Sequence, residues 1–536
     1  MNAHEARAAA AAWLAVDPDP QTRDELARLL AGPDDAVIDR FSDRLQFGTA
    51  GLRGPLGAGP TRMNRVIVQR TAFALGQWIV RRGLQRQGVA VAFDARHNSE
   101  VFAHDTCRVL AELGVRSYLL DGPAPTPVLA VFVSSFVTTG PAAGVVVTAS
   151  HNPPADNGYK VFLADGSQIV PPIDAEISAL IPDSGEIALA AWPHGLIDQV
   201  GTAAVDVYLH QVVPGVRLCP EVDSSMLRVV YTPMHGVGLD TLRSAFSVAG
   251  LPVPTVVPEQ ADPDPDFPTV AFPNPEEPGA LDLALALAAS VDADLVLAND
   301  PDADRLGAAI PTADGWRALK GDEIGWLLAD HILRHTSGDD RLVVTTLVSS
   351  SLLGKMAAHY GVRYAETFTG FKWIGQTRRA HPTARFVFGY EQALGYLVTA
   401  RPNDKDGISA AILMTEVAAL ARAEGTTLVA RLEAISARYG RHIVGERSVP
   451  MAPAVGTARV EAIAADPPGR LAGVDITGVE RFHEANLLRL WCADGARVQL
   501  RPSGTEPKVK IYVETIGGTP EPYLAAVAEL LAGKVS

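Results

Sequence analysis

The sequence predicts an α/β protein: three similar βα-rich blocks with mixed or parallel sheets, then a C-terminal α+β block. Three observations carry this. The chain has 536 residues, and a single core rarely serves more than about 250. Through most of its length, short β-branched runs alternate with Ala/Leu-rich helical patterns, the rhythm of βα units. Near the C-terminus that rhythm gives way to strand–turn–strand patterns.

Taken in order, Met1 to Leu14 is alanine-rich but carries Glu5 and Arg7 where a signal peptide would have an apolar core. It reads as an amphipathic helix opening a helical extension over residues 1–40. Val89 to Phe93 reads as a strand, Glu100 to Leu113 as the helix after it, and Arg116 to Leu120 as the next strand. Gly144 to Thr148 reads as a strand leading straight into Ser150. Leu227 to Tyr231, Asp294 to Ala298, Leu342 to Leu347 and Arg385 to Phe388 read as strands, each expected to precede a turn and a helix. Leu487 to Cys492, the turn Ala493-Asp494-Gly495, and Ala496 to Leu500 read as an antiparallel hairpin. Val509 to Val513 then reads as a strand and Tyr523 to Leu531 as a closing helix. Joints near Gly201, between Thr312 and Trp316, and before Gly440 give domains 1–200, 201–312, 313–435 and 436–536.

A hydrophobic share of 47% with 20% charged residues excludes bulk disorder. Lys and Arg number 46 against 61 Asp and Glu, a formal charge of −15. Such a surface repels nucleic acid and anionic membrane, so neither is an expected partner, and an anionic substrate would need a local positive pocket. Cys107, Cys219 and Cys492 stand far apart with no CxxC spacing. That fits a reducing, cytoplasmic setting and gives no support to a zinc or disulfide framework. The longest apolar run, Leu281 to Ala298, is broken by Asp282, Asp292 and Asp294, so no membrane span is expected.

Four motifs carry chemistry. The first is Thr148-Ala149-Ser150-His151-Asn152-Pro153-Pro154, followed by Asn157-Gly158-Tyr159-Lys160. A hydroxyl on a turn just after a strand stands at a sheet's C-terminal edge, where α/β proteins place their sites. His151 and Lys160 could supply proton transfer or countercharge to an attached phosphate. The G-x-S-x-G glycines of a nucleophile elbow are absent.

The second motif is Asn299-Asp300-Pro301-Asp302-Ala303-Asp304-Arg305. Carboxylates at i, i+2 and i+4 on a loop can converge on one hard cation, which prefers oxygen ligands. An EF-hand is excluded: Arg305 stands where its glycine belongs and Pro311 where its last glutamate belongs. Asp262-Pro263-Asp264-Pro265-Asp266 has the same spacing, but its interleaved prolines favour an extended rod, so the Asp300 loop is the expected metal site.

The third motif, Arg501-Pro502-Ser503-Gly504-Thr505-Glu506-Pro507-Lys508, can cradle a phosphate with backbone N–H groups, hydroxyls and cations. The fourth, Gly389-Tyr390-Glu391-Gln392-Ala393-Leu394-Gly395-Tyr396 with Asp404-Lys405-Asp406-Gly407, places a carboxylate beside glycines, suited to sugar hydroxyls. Thr369-Gly370-Phe371-Lys372, Phe47-Gly48-Thr49-Ala50-Gly51-Leu52-Arg53-Gly54 and Thr232-Pro233-Met234-His235-Gly236-Val237-Gly238 are weaker signals, whose glycines can simply serve turns.

In this order from Phe47 to Lys508, the strings resemble those of the α-D-phosphohexomutase superfamily, the phosphoglucomutases and phosphomannomutases. The longer ones look like the branch that also includes phosphopentomutases. The resemblance implies four domains around a central cleft, each giving one loop. It makes Ser150 a phosphoserine that joins Asp300, Asp302 and Asp304 around Mg2+, and it puts Arg53, His151, Lys160, Arg305 and Lys405 near the transferring phosphoryl. Thr369, Gly370, Lys372 and Glu391 match sugar-binding positions. Arg501, Ser503, Gly504, Thr505 and Lys508 match the site of the non-reacting phosphate. Ala393 stands where many members have serine, so it brings no side-chain hydroxyl to the sugar.

What the resemblance implies is a cytoplasmic mutase, monomeric or dimeric, that interconverts hexose 1- and 6-phosphates of glucose or mannose through a sugar bisphosphate. A phosphopentomutase is the alternative within the family. A non-catalytic sugar-phosphate sensor is the rival from another class, and retention of Ser150 with all three aspartates argues against it, since a sensor needs no phosphoryl donor.

Overall fold

The computed structural model describes residues 1–47, 51–136, 139–503 and 507–533, which form four sheets. The first has six strands and a parallel centre. Val89–Phe93 lies between Ala143–Val147 and Ser117–Leu119, and Ile197–Gln199 extends one edge. Val89–Phe93 and Ala143–Val147 are buried at every position, so they are unbroken apolar runs rather than alternating ones. On the other side the sheet turns antiparallel, adding Asp156–Leu163 and then Leu52–Pro55.

The second and third sheets repeat this device. Val229–Thr232 and Leu295–Ala298 pair in parallel, and Gly307–Thr312 returns antiparallel beside Leu295–Ala298. Arg341–Thr346 pairs in parallel with Arg385–Glu391, and Gly395–Leu397 returns antiparallel beside the latter. The helix expected after Asp294 to Ala298 and after Arg385 to Phe388 is therefore absent. Each strand doubles back instead, through a connection too short for a parallel crossover, which takes a dozen or more residues. The motif residues sit on these returns.

The fourth sheet is antiparallel throughout, in the order His442–Pro450, Lys508–Ile516, Arg497–Pro502, Leu487–Cys492, Val474–Phe482, Arg470–Leu471. The expected hairpin is present. Gly495 closes its turn at φ 84°, with its N–H on the Cys492 carbonyl at 2.9 Å. His442–Pro450 and Val474–Phe482 escape the sequence reading because their polar, largely exposed residues give little apolar signal.

Three N-terminal helices, Ala3–Val16, Pro20–Leu30 and Asp34–Phe41, pack with Trp13 edge-on to Phe41. Asn2 and Glu5 cap the first reciprocally, each side chain accepting from the other's N–H at 2.9 Å. One apolar cluster runs continuously from Ala90 and Val128 through Leu242 and Leu297 to Leu328, Ile412 and Val417, spanning the first three sheets. The fourth sheet has a core of its own, including Val460, Leu490, Val498 and Val527. It meets the third sheet through polar groups and through a small apolar cluster of Leu347, Val348, Leu487 and Tyr512. Arg497 donates to the Ser349 carbonyl, and Glu514, 3.1 Å from Arg497, accepts from the Ser351 N–H at 3.0 Å. Among the described residues no helix is long and apolar enough to cross a membrane.

Candidate active site

Ser150 stands just beyond the strand Ala143–Val147, buried and at φ 54°. Holding a serine in the left-handed region costs roughly 1–3 kcal/mol, so the surroundings must fix it. Thr148 Oγ1 accepts from its N–H at 2.8 Å. The buried Arg96 guanidinium donates to the carbonyls of Ser150, Asn152, Pro153 and Asp156 at 2.5 to 3.0 Å. Arg96 is a residue that the sequence reading missed. Its only signal is its place shortly after the strand Val89–Phe93.

The hydroxyl of Ser150 donates to Asp300 Oδ2 at 2.6 Å and lies 3.1 Å from His151 Nδ1. Asp300, Asp302 and Asp304 are all fully buried, with one carboxylate oxygen of each within 4.8 Å of the others. Asn299 shapes their loop by donating to the Arg305 carbonyl at 2.6 Å, while the Arg305 N–H donates to Asp300 Oδ1 at 3.0 Å. Glycines let neighbouring segments press on it. A Cβ on Gly236 would fall 2.3 Å from Pro301 Cα, and one on Gly407 would fall 2.1 Å from the Arg305 carbonyl oxygen. Those glycines therefore serve close approach and not merely turns.

Lys160 Nζ sits between Asp302 Oδ2 and Asp304 Oδ2 at 2.5 and 2.8 Å, and Lys405 Nζ lies 2.9 Å from Asp304 Oδ2. Thr126, also missed from sequence, donates to Asp302 Oδ2 at 2.5 Å. The Asp262–Asp266 stretch differs. Asp262 and Asp266 are exposed, and Asp264 turns the chain, its carbonyl accepting from the Phe267 N–H at 3.2 Å. The extended rod expected there is thus a turn, with Arg96 stacked 4.9 Å from the Phe267 ring.

Electrostatics separate the three carboxyls. Burial, with the charges of Asp302 and Asp304, pushes Asp300 up to about 7. Burial opposes ionisation of Asp302 and Asp304 as well, but Lys160 and Lys405 outweigh it and hold both below the usual range. Asp302 Oδ1 and Asp304 Oδ1 are buried with no hydrogen-bond partner among the described residues. Converging carboxylates, unpartnered oxygens and one carboxyl forced up by its neighbours form a donor set that fits a hard divalent cation. Burial and the charges of Arg305 and Arg53 push His151 well below its ordinary value, so its imidazole is neutral at neutral pH.

A cleft of about 1080 Å³ opens over this cluster, lined by residues from all four sheets or their loops. Arg53, His151, Arg305, Ala393 and Lys508 line it, as do Lys320, Arg497 and Lys510, which were not singled out from sequence. Asp156, Glu276, Glu277, Asp322, Glu446 and Glu514 line it too, so its charge is mixed rather than uniformly positive. Glu391 accepts from the Gly370 N–H at 2.9 Å, which joins the fourth motif to one of the weaker strings. Thr369, Gly370, Lys372 and Glu391 do not themselves line the cleft; Lys372 is buried at the start of the helix Lys372–Ala380. Arg501 neighbours the cleft-lining Tyr512, and the Ser503 N–H donates to the Lys508 carbonyl at 3.0 Å. Gly504 and Thr505 of that loop, and Gly48 to Ala50 of the first string, lie outside the described residues.

Sequence models of the phosphoglucomutase/phosphomannomutase α/β/α domains I, II and III match residues 44–187, 206–315 and 320–439, and that of the C-terminal domain matches 449–530. The chain belongs to the phosphoglucomutase/phosphomannomutase family. A Haemophilus influenzae family member described as "Probable phosphomannomutase" is 39% identical over 487 residues, covering 88% of this chain and 96% of its own. The Homo sapiens phosphopentomutase is 33% identical over 561 residues, covering 94% and 90%. A Burkholderia thailandensis phosphoglucomutase/phosphomannomutase family protein of known structure superposes with a TM-score of 0.70 at 20% identity, covering 92% and 98%. The family's four-domain α/β fold and its phosphomutase activity, an isomerase reaction, are those of this chain.

Proposed function

We propose that this phosphomutase interconverts hexose 1-phosphate and hexose 6-phosphate, of glucose or mannose, through phosphorylated Ser150 and a sugar bisphosphate. The observation that carries the reading is the Ser150 hydroxyl 2.6 Å from Asp300, at the edge of three buried carboxylates. Asp300, Asp302 and Asp304, with the Ser150 phosphate, would hold Mg2+, which draws charge from phosphoryl oxygens. Lys160, Lys405, Arg53 and Arg305 add fixed positive charge, so the doubly charged phosphate is tolerated inside an acidic protein.

In the forward step the bond from phosphorus to Ser150 Oγ breaks as a bond to one sugar hydroxyl oxygen forms. The proton of that hydroxyl passes to the neutral imidazole of His151, and Ser150 is left as an oxyanion. The bisphosphate turns round and its other phosphate returns to Ser150, while His151 gives the proton back to the sugar oxygen uncovered. Glu391 with Thr369, Gly370 and Lys372 is assigned to the sugar. Arg501, Ser503, Gly504, Thr505 and Lys508 are assigned to the phosphate that does not react. Domain limits of 1–200, 201–312, 313–435 and 436–536 and a cytoplasmic location belong to the same proposal.

The hexose reading draws support from the 39% identity to a protein described as a phosphomannomutase. A pentose phosphate is the second reading, favoured by the near-complete coverage of a phosphopentomutase. A coupled assay with glucose 1-, mannose 1- and ribose 1-phosphates decides between them. Turnover of ribose 1-phosphate well above both hexose phosphates would overturn the hexose assignment and leave the serine mechanism standing.

A further inference from the structure

Away from the cleft, three side chains without a part in the mutase chemistry meet where the segment before the second sheet touches the helices of the third. Cys219 precedes the strand Val229–Thr232, and His331 and His335 lie four apart on the helix Gly321–His335, so they share one face. Their ring centroids are 4.7 Å apart. Cys219 Sγ lies 3.2 Å from His335 Nδ1, and one ligand atom from each of the three lies within 4.8 Å of the others. Cys219 and His331 are buried and His335 is exposed, so the cluster opens to solvent on one side.

His331 supplies a second observation. Its Nε2 is 2.8 Å from Oε1 of Glu416, a fully buried carboxylate. Glu416 also accepts from the N–H groups of Leu218 and Cys219 at 2.8 and 3.1 Å, and from Arg217 Nε at 3.1 Å. It therefore clamps the Cys219 segment and His331 together, and it fixes the imidazole proton on Nε2. The lone pair then resides on Nδ1, which is buried and has no hydrogen-bond partner among the described residues. Leaving such a nitrogen unsatisfied is destabilising. A carboxylate behind a histidine is also what orients imidazoles that bind metals.

We propose that Cys219, His331 and His335 form a second cation site, distinct from the aspartate loop, which takes a thiophilic divalent cation of the zinc class. Thiolate and imidazole select zinc where three carboxylates select magnesium, so the two sites do not compete for one ion. The thiol proton of Cys219 leaves to solvent as the sulfur–metal bond forms. Three protein ligands leave a position for solvent on the His335 side. The bound cation ties the segment entering the second sheet to the first helix of the third, stiffening the joint between two blocks whose loops face one cleft.

The test uses the full chain with magnesium in excess, titrated with zinc chloride; metal retained per chain is measured by mass spectrometry after gel filtration. Wild type and Asp302→Asn should each retain equimolar zinc, while Cys219→Ser and His335→Ala should lose affinity by about tenfold or more. Cobalt in place of zinc should give a thiolate charge-transfer band in wild type that is missing from Cys219→Ser. His335 is exposed, so His335→Ala probes the site without disturbing the core, and its magnesium-supported turnover should match wild type. The proposal is overturned if wild type retains no zinc above magnesium, if either ligand variant keeps wild-type affinity, or if Asp302→Asn alone loses the ion.

Discussion

Ser150 Oγ lies 2.6 Å from Asp300 Oδ2, so a hydroxyl carried by the first sheet and a carboxylate carried by the second meet at one point. Ser150→Ala deletes the atom that would carry the phosphoryl and leaves the loop's Arg96 contacts to backbone carbonyls in place. Turnover in a coupled assay should fall by roughly 1,000-fold or more while the thermal midpoint hardly moves. Wild-type turnover in this variant would end the phosphoserine mechanism.

Asp302→Asn removes one carboxylate from the buried cluster and leaves Lys160 short of a counter-ion. Magnesium-supported turnover should drop about 100-fold or more. Asp264→Asn, at the look-alike spacing on a half-exposed turn, should leave turnover nearly intact. The two variants, assayed over a magnesium titration, should separate cleanly.

Arg96 holds four carbonyls of the serine loop with one planar fork. A lysine carries the same charge but cannot reach all four. Arg96→Lys should lower kcat roughly 10- to 100-fold with KM little changed, because it lets the serine drift without touching the sugar and phosphate loops. A change confined to KM would show that the fork has another duty.

Burial pushes the Asp322 carboxyl up to about 6 from an ordinary 3.8. Between those values the folded chain holds a proton that the unfolded chain has lost, so stability falls as pH rises through the window, by about 3 kcal/mol in full. Asp322→Asn keeps an acceptor for the Tyr390 hydroxyl and the Ser350 N–H, which both bond Oδ1, at 2.7 and 2.8 Å. The variant should lack that decline and melt higher than wild type above about pH 6. A steeper decline in the variant would reverse the assignment.

How much of this was legible depended on whether a function is written in adjacent residues. Ser150 with His151, and the aspartates at 300, 302 and 304, are contiguous strings, and the chemistry of each can be argued from spacing alone. Thr126 reaches Asp302 across 176 residues, and Cys219 reaches His335 across 116, so no local pattern announces either. The same limit hid Arg96, whose targets are carbonyls rather than side chains. Parallel central strands stood out as apolar runs. The antiparallel return Gly395–Leu397, three residues long, gave periodicity nothing to work on.

The first three sheets share one large apolar cluster, whereas the fourth keeps a core of its own. It meets the third through polar bonds, those of Arg497 and Glu514 among them, and a small apolar cluster around Leu347, Leu487 and Tyr512. Cooperativity follows shared cores. In a scanning calorimeter the chain should therefore give two endotherms, a large one for the fused block and a small one for the C-terminal lobe. Arg497→Leu, which leaves Glu514 buried without its cation, should draw the small peak to lower temperature and leave the large one in place. A substitution deep in any one of the three fused sheets should displace the large peak as a whole.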